Sequence, residues 1–215
     1  MSRLNLFFEK RPISSFLLLA ILLAGLQGFN SFCSKVSCNG FSDPKFDLWF
    51  PYQQGQTIHF QSGQNDTSSL FISYTNKTKA STVSGGFGSH CPIPNAIIQS
   101  SRVGSQSNSL YLNYVAFSSL DSTKNINLNF DGFMLLGGAI TDTGIAIRSG
   151  NTNVQSFYNS FINIQGTIYY NVQLIQLDTT EAYQNNVGVY KIWLAKNTGI
   201  LAYQEYPSLL MWVKQ

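Results

Sequence analysis

Charge is what this 215-residue sequence has least of: Asp, Glu, Lys and Arg together make up 11% of it, against roughly 25% in ordinary globular domains. Polarity therefore falls to Asn, Gln, Ser and Thr, a mixture typical of β-rich proteins that work outside the cytoplasm. Setting aside residues 1–32 removes Arg3, Glu9, Lys10 and Arg11, which leaves 10 basic and 9 acidic residues and a net charge near +1. No basic stripe is left to neutralise phosphates, so nucleic acid is excluded as a partner. Histidine is scarce as well. His59 and His90 are the two side chains with an ordinary pKa near neutrality, and the carboxylates are scattered. Cys38 and Cys91 lack the close Cys/His pairs of a metal site. Outside the first 32 residues no long segment repeats apolar residues at i, i+3, i+4 and i+7, which excludes a helical domain. These absences assign no catalytic residue, no metal and no cofactor.

What is present begins with a leader. Lys10 and Arg11 end a basic stretch, and residues 16–26 (FLLLAILLAGL) form an apolar run of secretory length, short of the roughly 20 residues a spanning helix needs. An uncleaved anchor is the alternative. Cys33 stands at the distance from this run where a bacterial lipoprotein carries its lipidated cysteine, although Phe32 occupies the place of the usual small residue. Lipidation at Cys33 is the expectation, with the membrane as a partner through that anchor. The chain thus divides into an export signal (1–32), an N-terminal docking segment (33–55) and one β domain (56–215), whose length suffices for one well-buried core.

Three cysteines in an oxidising compartment allow three pairings: Cys33 with Cys38, Cys33 with Cys91, or Cys38 with Cys91. If Cys33 carries lipid, the last remains. That bridge closes a loop of about 50 residues, contributes about 4 kcal/mol on the chain-entropy model, and is expected to pin the N-terminal segment to the sheet.

The docking segment carries FDLWFPYQQG (46–55), whose aromatics have to be covered by the sheet. Period-two alternation then marks strands at 57–61 and 70–74, with turn chemistry at Gly63, Gln64, Asn65 and Asp66 predicting a hairpin. Residues 76–109 form the longest irregular section, because SGGFGSHCPIPN (84–95) is too rich in Gly and Pro for a sheet interior. Residues 96–99 are the place where a short strand fits. Further strands are expected at 110–117, 126–130 and 133–140, with Asp131-Gly132 as a tight turn and Gly137-Gly138 as a bulge. Residues 167–177 (TIYYNVQLIQL) give the clearest strand: Ile168, Tyr170, Val172 and Leu174 share one face, Tyr169, Asn171 and Gln173 the other. Residues 187–194, 200–206 and 209–213 complete a meander. Some ten strands without a helical crossover predict an all-β fold: an antiparallel curved sheet, closed as a lipocalin-like barrel or folded as a sandwich.

FINIQGTIYYNVQLIQL (161–177) and VGVYKIWLAKNTGILAYQEYPSLLMWVKQ (187–215) resemble the C-terminal half of envelope lipoproteins of Bacteroidota. The resemblance rests on Gly166, Tyr170, Asn171, Val172, Gly199, Ile200, Leu201, Tyr203 and Trp212, with WFPY (49–52) similar to the same group. Lys191 and Trp193 depart from that group's second tyrosine and small residue. The resemblance implies a location at the cell envelope, on the periplasmic or surface side of the outer membrane. It also implies candidate O-glycosylation at Ser122 (Asp121-Ser122-Thr123) and Thr179 (Asp178-Thr179-Thr180), each of which also reads as a plain turn. Asn65-Asp66-Thr67 and Asn76-Lys77-Thr78 match the N-glycosylation acceptor of a eukaryotic secretory host.

Few groups point to chemistry. His59 lies opposite the apolar face of its strand, as a solvated histidine does. His90 neighbours Cys91, yet adjacent residues of an extended loop point to opposite sides, which opposes a Cys–His nucleophile. Asp121, Asp131 and Asp142 recur at the spacing of successive turns; a calcium cluster is the sharper alternative. The aromatics, 11 Tyr, 16 Phe and 3 Trp, serve core packing, an apolar pocket or sugar stacking. The expectation is a non-enzymatic envelope lipoprotein that binds an apolar small molecule or an envelope protein in its barrel or on its curved sheet. A surface adhesin or glycan-binding module using exposed Tyr and Trp is the second reading, and a hydrolase the third.

Overall fold

Alternating segments of the sequence become strands, and a short helix appears where none was expected. The computed structural model describes residues 35–84, 90–101, 108–115, 125–147, 153–178 and 188–215. The export signal, Cys33, Asp121, Ser122 and Thr179 lie outside these residues.

The described chain divides into two units. In the small one, β1 (Lys35–Cys38) pairs antiparallel with β4 (Ser81–Ser84), and Cys38 is bonded to Cys91. Of the three cysteine pairings, this is the one formed. The bridge joins β1 to the end of the segment that follows β4, and so lies wholly inside this unit rather than fastening β1 to the large sheet.

The large unit holds a helix and a 12-stranded sheet. Its elements are α1 (Pro44–Trp49), β2 (Thr57–Ser62), β3 (Thr67–Lys77), β5 (Asn95–Ser101), β6 (Leu110–Val115), β7 (Asn125–Phe130), β8 (Phe133–Thr141), β9 (Gly144–Ile147), β10 (Val154–Ile164), β11 (Thr167–Leu177), β12 (Val189–Ala195), β13 (Gly199–Glu205) and β14 (Met211–Lys214). The strand order is β10-β11-β12-β13-β14-β2-β3-β5-β6-β7-β8-β9, antiparallel throughout. The two ends of this order meet, and the sheet is a nearly closed barrel: Ser156 on β10 donates to the carbonyl of Ile145 on β9 at 3.4 Å.

Local chemistry explains the turns. Asp131 and Gly132 both have positive φ, 48° and 92°, as the expected two-residue β7–β8 turn requires. Gly137 has φ 80°, and the β7–β8 register shifts beside it, so the expected bulge is present. Helix α1 starts because Asp43 accepts from Lys45 N at 3.0 Å and Pro44 supplies a preset φ at the first turn.

Inward-facing residues of every strand of the barrel share one core with Phe46, Trp49, Phe50 and Tyr52 of the helical segment. Rings fill the axis: Tyr203 meets Phe60 and Phe130 edge-on at 5.1 and 5.2 Å, and Phe46 stacks on Tyr114 at 5.4 Å. The aromatics of residues 46–55 are thus covered by the sheet. On β7, buried Ile126, Leu128 and Phe130 alternate with half-buried Asn125, Asn127 and Asn129. On β7, an apolar inner face with amides outside is the inverse of the pattern of a lipid-spanning strand, which is polar inside and apolar outside.

On β12 to β14 the outer face is apolar as well. Ile192 and Leu194 point into the barrel core, while Trp193 and Ala195 join Leu201, Ala202 and Val213 in a second cluster. Successive side chains alternate across a strand, so this second cluster lies on the outer wall. Ile164 of β10 is buried in it, with Ile162 and Tyr169 packed alongside. The β10–β11 hairpin therefore covers the wall with one face. Asn171, at φ 54°, interrupts the ladder: Tyr169 before it and Val172 and Leu174 after it reach the same cluster. Strict alternation along 167–177, expected from sequence, is offset there, since Asn tolerates the left-handed region at little cost.

Candidate functional site

The residues singled out for chemistry are not brought together. His59 is exposed on β2, His90 is exposed in the small unit, and among the described residues no three His, Cys, Asp or Glu side chains converge on a point that would hold a metal. Asp131 belongs to the β7–β8 turn, and Asp142, in the β8–β9 turn, pairs with Lys45 across 3.1 Å of exposed surface. Asn65 and Asn76 are both exposed. The tryptophans are buried: Trp49 in the barrel, Trp193 in the outer cluster, and Trp212 stacked on Tyr203 at 5.9 Å. Exposed tyrosines remain, namely Tyr74, Tyr111, Tyr158 and Tyr170.

The buried polar groups serve structure. Asp43 accepts from the Tyr114 hydroxyl at 2.7 Å while capping α1; burial, and then the neighbouring carboxylate, hold the Tyr114 phenol well above its ordinary pKa. Tyr52 accepts from Ile200 N at 2.6 Å, and burial pushes its phenol up too. That contact needs Gly199, where a Cβ would sit 2.4 Å from the Tyr52 oxygen. Near the axis, Ser68 donates to Asn108 at 3.0 Å. Burial raises the Tyr203 phenol and the Glu205 carboxyl.

The seam between β9 and β10 is different. Gln173, buried on β11, donates from Nε2 to the Ile145 carbonyl at 2.6 Å and accepts at Oε1 from Ile145 N at 2.7 Å. Its side-chain amide takes the place of a peptide group from a neighbouring strand, which satisfies the edge of β9. Gly144 makes room: a Cβ there would lie 2.2 Å from Gln173 Oε1, and its φ of +121° disfavours any side chain.

Beside this clamp lies a half-open cleft of about 470 Å³. Its polar lining comes from Thr141, Thr143, Ser156, Tyr158 and Gln173, with Ile145, Ile147 and Val154 as apolar floor. Tyr158 donates to Asn171 Oδ1 at 2.7 Å, which orients an exposed ring at the rim. Every polar group in the lining is a neutral hydroxyl or amide. Such a surface offers hydrogen bonds and a ring face, with no charge to recruit or activate an ionic substrate.

The outer face of the β10–β11 hairpin is the other exposed feature. Phe161 lies directly opposite Tyr170, and Asn163 opposite Ile168; Phe161, Ile168 and Tyr170 are 63%, 54% and 67% exposed. Residues 154–177 contain no Asp, Glu, Lys, Arg or His. Neither β9 nor β10 was expected as a strand. The usable signals were the absence of charge over 154–177 and the alternation of Phe157, Asn159, Phe161 and Asn163; Gln173 carried no local signal, because its partner is 28 residues away. No protein-family model, curated protein or solved structure matches this chain.

Proposed function

We propose that this is an exported, non-enzymatic envelope protein, held at the membrane through Cys33, that binds a neutral glycan in the cleft at the barrel seam. The observation that carries the reading is the cleft's lining of hydroxyls, one amide and the oriented Tyr158 ring, without an Asp, Glu, Lys, Arg or His side chain. Sugars present both hydroxyls and apolar ring faces, so neutral hydrogen-bonding groups beside an aromatic ring match them. The filled barrel axis favours binding at the wall over an apolar ligand held inside. Export rests on the leader, and the envelope on the resemblance together with Cys33.

The test is a neutral-glycan array probed with protein purified from cells that express the full chain. Binding is expected to be insensitive to salt, since no ion pair contributes, and to weaken about tenfold in Tyr158→Ala, the loss of roughly 1–1.5 kcal/mol of ring stacking. Binding that persists unchanged in Tyr158→Ala, or none at millimolar glycan, would overturn the reading.

A further inference from the structure

Tyr158, on the rim of the cleft, lies directly opposite Gln173 in the β10–β11 ladder, and both project to the cleft side of the hairpin. Val172 and Leu174 alternate with Gln173 and enter the outer cluster instead. The ladder is then interrupted: Asn159 pairs with Val172 and Phe161 with Tyr170, with no pair between Ser160 and Asn171, and Asn171 has φ 54°. On the far side of the interruption it is Ile162, Ile164 and Tyr169 that reach the outer cluster. Even-numbered residues of β11 thus pack on the wall after Asn171 and an odd-numbered one before it, so the hairpin turns its faces over at this point. Phe161 and Tyr170, which alternate with Ile162 and Tyr169, are thereby carried to the side that Tyr158 occupies.

We infer that the glycan site continues from the cleft along this side of the hairpin, with Phe161 and Tyr170 as a second aromatic platform, and that its occupant is an extended neutral oligosaccharide. This rests on the glycan reading of the cleft and adds the length of the glycan. From Ser156 in the cleft to Phe161 is five residues of strand, roughly 16 Å at about 3.3 Å each, a span no single sugar ring fills. Phe161 and Tyr170 are a cross-strand pair and the two most exposed Phe and Tyr rings among the described residues, so they lie side by side and open to solvent. Amides interleave the rings. Asn171 accepts from Tyr158 through Oδ1, and Asn163 accepts from Gly166 N through Oδ1 at 2.9 Å; both residues are exposed, and each keeps its Nδ2 donor for a sugar hydroxyl. Rings alternating with neutral donors match the apolar faces and hydroxyl edges of a sugar chain. A lipid bilayer would leave those amides without partners, and residues 154–177 offer no charge to a headgroup or a charged peptide.

A length series of neutral glucan, mannan and xylan, from disaccharide to hexasaccharide, tests it by titration calorimetry against a Cys33→Ser form expressed as the full chain and purified after export. The hexasaccharide of whichever sugar binds is expected to bind about tenfold more tightly than its disaccharide, the contribution of one further ring contact. Phe161→Ala and Tyr170→Ala, at exposed positions, are expected to cut that preference to about twofold with the melting temperature kept, whereas Tyr158→Ala weakens both lengths alike. Phe161→Trp keeps a ring, so it should retain the preference, and its exposed indole should change fluorescence with the hexasaccharide but not with the disaccharide. Equal affinity at all lengths, or a length preference untouched by Phe161→Ala and Tyr170→Ala together, would overturn the inference and leave the cleft reading standing. Phe161→Ala protein that comes off phosphatidylcholine vesicles while holding the hexasaccharide as before would assign the platform to a membrane and overturn it too. No binding by any member of the series removes both readings.

Discussion

The barrel has two kinds of wall. Along β2, β3 and β5 to β8 each strand buries one face and shows the other to solvent, so β2 runs exposed and buried by turns, and β7 sets Asn against Ile, Leu and Phe. Along β12 and β13 both faces are covered, the inner by the core and the outer by the β10–β11 hairpin, and burial is nearly continuous. A strand's sequence pattern therefore reports how many layers pack on it. Alternation marks one covered face, and an unbroken apolar run such as Ile200-Leu201-Ala202-Tyr203 marks two.

Three substitutions break or sharpen this contrast. The largest effect is expected in the barrel core that both walls share: Phe130→Ala removes a fully buried ring in contact with Tyr203 and should lower stability by about 3–5 kcal/mol. Chemical denaturation followed by tryptophan fluorescence measures it, and a loss below about 1 kcal/mol would mean the axis is not tightly filled.

Next is Gln173→Leu, of similar size, which leaves the N–H of Ile145 without its partner and its C=O with the 3.4 Å bond from Ser156. About 2 kcal/mol is expected, from one orphaned buried N–H at roughly 1–3 kcal/mol and a weakened bond at the carbonyl, with faster amide exchange at Ile145. Unchanged exchange there would show that the seam holds without the clamp. The most local effect belongs to the outer layer. Ile164→Ala unpins the hairpin from the second cluster at a cost of about 2 kcal/mol. Exchange should rise along 161–170 while the β2–β8 wall keeps its protection. Loosening of both walls alike would dissolve the distinction between them.

Several elements were legible before the structure. The β2–β3 hairpin, the Asp131-Gly132 turn, the bulge at Gly137, the short strand within the loop region and the C-terminal meander all rest on patterns within a few residues, and each is present. Helix α1 was missed because six residues are too few to show a 3.6 period, although Asp43-Pro44 is a helix start. Strand β10 was missed because its apolar residues serve two different layers in turn: Val154 enters the barrel core and Ile164 the outer cluster. The candidate cleft was not legible at all. Its lining comes from β8 to β11 and from the turn between β8 and β9, residues brought together by barrel closure.

The sequence by itself determined that the chain is β-rich, that its interior is apolar and aromatic, and that its exterior relies on amides and hydroxyls in place of charge. These follow from composition and from a side-chain period of two, which are local properties of an extended chain. Tertiary structure alone decided that β9 and β10 meet, that a glutamine side chain joins them, and that one hairpin covers the outer wall. Those outcomes depend on where the ends of a twelve-stranded order come to lie, and a strand's own residues carry no record of which distant edge its neighbour will present.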